Sequence, residues 1–351
     1  MNRALAQPQR IAILRALQLG DMLTAVPTFR AIRTRFPDAE ITLIGLPWAE
    51  DFTRRFSEYF DRFSAFPGWP GIAEVPYCAR RTDRFLRESR SRHVDLAVQL
   101  HGSGLASNSF VNALGADVTA GHFPRGQCQD VDLGLPYPDC GHEIHRNLAI
   151  ARLLGATECG ADLEFPLFPS ERARAAALLN DLRIAGRPII GIHPGASAPA
   201  RRWLPERFAM LADLLMDECG ARVALLGGPG DQQLVEEVAR QLRRPVLNLA
   251  GHTKLGELAA VIEKVDLFIG NDSGPAHLAA AVGTPSVAIF GPVDPERWRP
   301  LHHERHIAVR RPVACSPCGL SVCPIDHRCM RDMSVHHVLP AAIRMLEKRA
   351  A

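Results

Sequence analysis

No stretch of this chain holds the roughly 18–20 uninterrupted apolar residues that a membrane-spanning helix needs. An apolar run follows Arg3 and Arg10, but Arg15, Gln18 and Asp21 break it and no small-residue cleavage site comes after it. The expectation is a cytosolic protein rather than one led by a secretory signal. Also missing at any strand-to-helix junction are a Walker GxxxxGK[ST] loop and a GxGxxG fingerprint, which argues against a P-loop NTPase and a standard dinucleotide enzyme. Internal repeats and low-complexity segments are absent. Neither sign of charge dominates: 41 Lys+Arg face 38 Asp+Glu, a net charge of +3, so no nucleic-acid partner is expected from charge. Nine cysteines, an odd number in 351 residues, do not suit a secreted disulfide framework.

What is present reads as an ordinary globular chain, 47% hydrophobic and 23% charged. Cores tend to split beyond about 250–300 residues, so two domains are expected. Arg10–Leu14 (RIAIL) reads as a short buried strand, the following GDMLTAVPTFRAIRTRF has helical spacing, and Ile41–Ile44 is a second strand after the turn at Pro37-Asp38. The alternation recurs at DLAVQL (from Asp95), IIGIHPG (after Pro188), ARVALLGG, DLFIGND and PSVAIFG. Apolar runs separated by helical segments predict an α/β fold with doubly wound parallel sheets. A boundary is expected near Phe165–Pro188, giving residues 1–165 as one domain, 166–330 as a second, and 331–351 as a terminal helix packing back across the pair. Ligands in such sheets bind beyond the carboxyl ends of the strands.

Three strand ends carry candidate chemistry. Gly20-Asp21 follows the first strand; Asp21 can project beyond it as a functional carboxylate or cap the helix. In DSGPAH (Asp272 to His277), Asp272 or Ser273 can cap a helix, Gly274 admits a ligand to the backbone, and Pro275 suits the first turn. The positive helix end then makes a diphosphate site, with His277 as a further donor or as a buried structural histidine. In HPGASAPARRW (His193 to Trp203), Arg201 and Arg202 offer forked donors to phosphate oxygens, or are plain surface arginines. The glycine turns Gly227-Gly228-Pro229-Gly230 and Gly291-Pro292 are weak signals alone. Cys315, Cys318, Cys323 and Cys329, spaced C-x2-C-x4-C-x5-C, leave open a structural zinc site, a redox-sensitive disulfide or plain thiols. Between Arg80 and Arg92 six arginines, among them Arg81, Arg84 and Arg87, stand against Asp83 and Glu88, as a cationic binding face or a solvated helix.

In this order the segments resemble glycosyltransferase family 9, the lipopolysaccharide heptosyltransferase family. The likeness is carried by RIAILRALQLGDMLTAVPTFRAIRTRFPDAEITLI, DLAVQLHGSG, IIGIHPGASAPARRWLPERFAMLADLL, LLGGPGD, DLFIGNDSGPAHLAAAVGTPSVAIFGPVDP and CSPCGLSVCPIDHRCM. It implies a GT-B architecture of two Rossmann-like domains, with the acceptor on the first and the nucleotide sugar on the second. It also implies inverting, metal-independent transfer of heptose from an ADP-sugar to the lipopolysaccharide inner core, with no cofactor. On that resemblance Asp21 matches the catalytic base. Asp272, Ser273, Gly274 and His277 match the D-[ST]-G-x-x-H donor motif, Arg201 with its neighbour Arg202 stands where a lysine is common, and Asp231 is the nearest match to an acidic ribose contact. An anionic glycolipid acceptor gives Arg80, Arg81, Arg84 and Arg87 a partner, and peripheral contact with the cytoplasmic face of the inner membrane is consistent with it. The rival readings are a different sugar on the same frame, a non-catalytic nucleotide-sugar binder, and a nicotinamide oxidoreductase, the last disfavoured by the missing fingerprint.

Overall fold

The computed structural model describes residues 7–157 and 160–350; Arg3 of the leader-like start lies outside them. The chain divides into two compact units, residues 1–162 and 163–351. In the first unit the elements run β1 (Arg10–Leu14), α1 (Leu19–Arg35), β2 (Glu40–Gly45), α2 (Ala49–Arg55), β3 (Arg62–Ala65), α3 (Ala79–Ser91), β4 (Leu96–Gln99), α4 (Ser107–Ala113), β5 (Val118–Phe123), β6 (Leu133–Pro136) and α5 (Glu143–Leu153). Its six strands are parallel in the order β3-β2-β1-β4-β5-β6.

The second unit carries α6 (Pro169–Leu178), β7 (Ile189–His193), α7 (Pro205–Glu218), β8 (Arg222–Leu225), α8 (Gln232–Gln241), β9 (Leu247–Asn248), α9 (Leu255–Lys264), β10 (Leu267–Asn271), α10 (Gly274–Ala281), β11 (Ser286–Phe290), α11 (Pro295–Trp298), β12 (His306–Arg310), α12 (Arg328–Arg331) and α13 (Val335–Ala350). Its sheet is also all parallel, ordered β12-β11-β10-β7-β8-β9. Counted from the first strand of each unit, both sheets follow the order 3-2-1-4-5-6. Strand order therefore reverses between β1 and β4 in one unit and between β7 and β10 in the other, where α/β sheets hold their ligands.

The central strands are apolar on both faces because helices cover both. Ile11, Ile13 and Leu14 of β1, every residue of β7, and Leu267, Phe268 and Ile269 of β10 are buried. Each isoleucine, leucine and phenylalanine among them contributes roughly 1.5–3 kcal/mol on burial. Around β7 the core gathers Trp203, Phe208 and Leu215 from α7 and the loop before it, together with Met330, Val338 and Ala342 from the chain's end. Helix α13 packs on α7 and on β10, β11 and β12 of its own unit. Among the described residues no helix is long and apolar enough to cross a membrane.

Candidate functional site

In the first unit, β1 ends at Leu14 and the chain turns through Arg15–Gln18 into α1. Asp21 is the third residue of that helix; the N-cap position belongs to Gln18, which makes no side-chain cap bond. The reading of Asp21 as the helix cap is thus corrected: the helix begins at Leu19 and takes Gly20 into its first turn. Asp21 is half-buried beside the β1/β4 reversal. Its carbonyl accepts from Arg15 Nε at 2.8 Å, Arg15 Nη2 at 2.5 Å and Thr24 Oγ1 at 2.9 Å.

At the end of β4, the His101 ring bridges two segments. Nδ1 accepts from the Ala16 amide at 3.3 Å, which leaves the ring proton on Nε2, 3.7 Å from Glu74 Oε2. That contact with His101 holds the Glu74 carboxyl below its ordinary range, with burial opposing it. Neither Arg15, which in the sequence only interrupts an apolar run, nor His101 belongs to a recognisable motif. Their signals were a single charge inside the apolar run RIAILRAL and a histidine directly after the buried strand DLAVQL.

In the second unit, the loop after β7 and the start of α10 meet across the β7/β10 reversal. Asn271, fully buried, joins them: Oδ1 accepts from the Trp203 amide at 3.0 Å and Nδ2 donates to Pro194 O at 2.7 Å. Arg201 closes a short 3-10 turn, Pro199–Arg201. Its Nη1 lies 3.4 Å from Asp272 Oδ2, with Asp272 only 4% exposed and the arginine side chain one-third exposed. Arg202 instead spends Nε on the Ala196 carbonyl at 2.9 Å. The Nε of Arg201 and Nδ1 of His193 are buried without hydrogen-bond partners among the described residues.

Ser273 holds the N-cap position of α10, with Pro275 just inside the helix, but makes no side-chain cap bond. The expected side-chain cap is corrected: Ser273 Oγ donates to Asn271 O at 3.2 Å, while in the first turn Pro275 has no N–H and the Ala276 amide donates to Ser273 O at 3.0 Å. His277, 4% exposed, sits a turn further on with its ring 6.5 Å from that of Trp298. Asp231, after β8, lies 3.6 Å from His193 Nε2 and accepts from the Gly228 amide at 3.0 Å. The contact with His193 holds its carboxyl below the ordinary range.

The other candidates fall elsewhere. Arg80, Arg81, Arg84 and Arg87 are exposed on α3. Arg81 differs from the rest because it donates to the carbonyls of Pro67 and Pro76, pinning its own loop. Arg80, Arg84 and Arg87 recur at spacings of four and three, which places them on one helix face. A cavity of about 340 Å³ under α3 opens beside Arg10, Glu40 and Arg62, the first residues of β1, β2 and β3 and so the opposite ends of the strands from Asp21. The cysteine segment is sewn to the site loops: Ala200 N donates to Ser321 O, His327 Nε2 contacts Ala200 O at 2.6 Å, and Cys318 N donates to Pro292 O. Cys315 and Cys318 are exposed, Cys323 is half-buried and Cys329 is buried. Burial, then the other three cysteines, pushes the Cys329 thiol up. Among the described residues the group whose ligand atoms all lie within 4.8 Å is His93, Asp95 and Asp117.

Comparison with known proteins agrees with this layout. Lipopolysaccharide heptosyltransferase 2 of Salmonella typhimurium is 28% identical over 308 residues, covering 85% of this chain and 87% of that protein. A glycosyl transferase family 9 structure from Veillonella parvula superposes with a TM-score of 0.80 at 22% identity, over 97% of this chain and 98% of that one. The ADP-heptose lps heptosyltransferase II of E. coli gives 0.76 at 22% identity, over 97% and 100%. Two Rossmann-like units in tandem make this a GT-B chain. The pattern described as glycosyltransferase family 9 (heptosyltransferase) matches residues 84–328, well over half the sequence. The chain belongs to glycosyltransferase family 9 and is a glycosyltransferase.

Proposed function

We propose that the protein transfers heptose from ADP-heptose to an inner-core lipopolysaccharide acceptor, with inversion and without a metal. The observation that carries the donor half is the pairing of Arg201 with Asp272 at the start of α10. It offers a forked cation and the positive end of a helix to one diphosphate. As the bond from the anomeric carbon to the diphosphate breaks, charge grows on the leaving oxygen, and these fixed donors stabilise it. Asp231 accepts from the ribose, and His277 adds a donor to the diphosphate. On the acceptor side Asp21 takes the proton of the attacking hydroxyl as the new C–O bond forms, for which it must come within about 2.6–3.2 Å of that oxygen. The oxocarbenium-like transition state needs no covalent enzyme intermediate when the hydroxyl attacks opposite the leaving group.

Arg80, Arg84 and Arg87 meet the anionic groups of a glycolipid acceptor, and the protein works at the cytoplasmic face of the inner membrane. The heptosyltransferase names among its relatives support the sugar. A thermal-shift panel of ADP-, UDP- and GDP-sugars tests the donor: a ligand present at 100 times its Kd stabilises the native state by about 2.7 kcal/mol. A shift with ADP-heptose alone is expected. A UDP or GDP preference would replace the proposed donor, and silence across the panel would remove the donor site.

A further inference from the structure

We propose that Arg15 is a positioning residue, a guanidinium clamp that aims the carboxylate of Asp21. The proposal rests on the reading of Asp21 as the base. Arg15 is 1% exposed, at the end of the apolar strand β1, where burying a cation is costly unless every donor is met. Every donor is met. Nε and Nη2 both reach the Asp21 carbonyl, at 2.8 and 2.5 Å; Nη1 donates to the Leu100 carbonyl and to Asn147 Oδ1 at 3.2 Å; Nη2 also reaches Thr24 Oγ1 at 3.4 Å.

Those acceptors belong to α1, the end of β4 and α5, so one rigid plane ties three elements together at the β1/β4 reversal. Two bonds from one fork onto a single carbonyl fix the peptide plane that follows Asp21, and hence the direction of its Cα–Cβ bond. The turn is held at its other end as well. Arg15 N donates to Ile44 O at 2.9 Å, and the Ala16 amide donates to His101 Nδ1. Asn147 completes the tie by donating from Nδ2 to Thr24 O at 3.4 Å. A site asked only to be filled would take leucine or methionine; a planar cation whose fork converges on the backbone of the proposed base serves aim as well as packing. Lysine supplies three donors without the fork, so it keeps the charge and loses the geometry. A displacement of about 1 Å at a reacting group can cost on the order of 100-fold in rate.

The experiment compares Arg15→Lys, Arg15→Ala and Asp21→Asn in the full chain, with kcat and donor KM measured alongside ADP binding and far-UV circular dichroism. The expected result is a folded Arg15→Lys protein whose kcat falls 10- to 100-fold while donor KM stays within twofold. Added methylguanidinium should raise kcat of Arg15→Ala at least tenfold. A folded Arg15→Lys enzyme with parental kcat overturns the proposal, as does a loss of kcat that only tracks the loss of ADP-binding fraction. Folded Arg15→Ala that methylguanidinium fails to rescue overturns it too. Should Asp21→Asn be inactive while Arg15→Lys is fully active, the clamp alone falls; an active Asp21→Asn removes the base reading itself.

Discussion

Gly195 lies directly against the carboxylate of Asp231: a Cβ at residue 195 would stand 2.4 Å from Asp231 Oδ1 and 2.6 Å from its Cγ. The loop after β7 and the turn after β8 can therefore close on each other only while residue 195 has no side chain. Gly195→Ala must push the carboxylate away from His193. Overpacking of this kind costs about 1–3 kcal/mol, and if it is read as donor affinity, ADP should bind roughly 10- to 100-fold more weakly by calorimetry. Because the clash is with a side chain, Asp231→Ala should relieve most of it. A double-mutant cycle with strictly additive penalties would refute the contact.

Asp21→Asn keeps the shape and the backbone of the first α1 turn but removes the basic oxygen. The expected outcome is a loss of about 10²- to 10⁴-fold in kcat, the usual worth of a general base, with ADP affinity within twofold of the parent. Weakened ADP binding with normal kcat would overturn the proposed role of Asp21 as the base.

Arg201→Gln leaves Asp272 buried without this cation and takes a charge from the proposed diphosphate site. Hydrogen bonds to charged groups are worth about 1.5–3 kcal/mol, so the ADP Kd should rise roughly 10- to 100-fold. Arg201→Lys should fall between the two, since it keeps charge without the fork. Equal Kd values in all three proteins would mean that Arg201 makes no donor contact.

His306, on β12, has a measurable pH signature remote from the site. Burial lowers its pKa from 6.5 to about 4, and Ser286 Oγ lies 2.9 Å from its Nδ1. Above pH 6.5 the ring is neutral in both folded and unfolded chains, so nothing is lost. Between pH 6.5 and about 4 the unfolded chain takes up the proton and the folded one does not, so stability falls with falling pH, by at most about 3 kcal/mol, and levels off below. His306→Asn should flatten this part of the urea-midpoint profile. An unchanged slope would show that other groups produce it.

The strands legible in the sequence were those with an apolar run on both faces: β1, β2, β4, β7, β8, β10 and β11. Four of the five that were not, β3, β6, β9 and β12, are the outer strands of the two sheets. They are half-exposed, and β3, β6 and β9 run only two to four residues, so neither alternation nor a hydrophobic run marks them. The fifth, β5, is buried but carries Thr119, Gly121 and His122, polar or small residues that read as loop. Motifs at strand ends were legible because Asp, Gly, Arg and His stand out after an apolar run. Arg15 was not, since the acceptors that satisfy it lie 6, 85 and 132 residues away in sequence. Helix α1 opens at Leu19, one residue before the helical spacing that starts at Gly20, because neither residue carries a capping signal. Asp21 also falls outside the 84–328 span of the family match.

Trp203 ends the loop that carries Arg201, and its indole N–H donates to the carbonyl of Met333 at 2.8 Å. Arg207 donates to the same carbonyl and to that of Met330. The segment from Met330 into α13 therefore acts as a doorframe for the loop that carries Arg201. A stop codon placed before Met330 would strip both anchors at once, and an affinity handle fused after α13 must leave that helix free to seat.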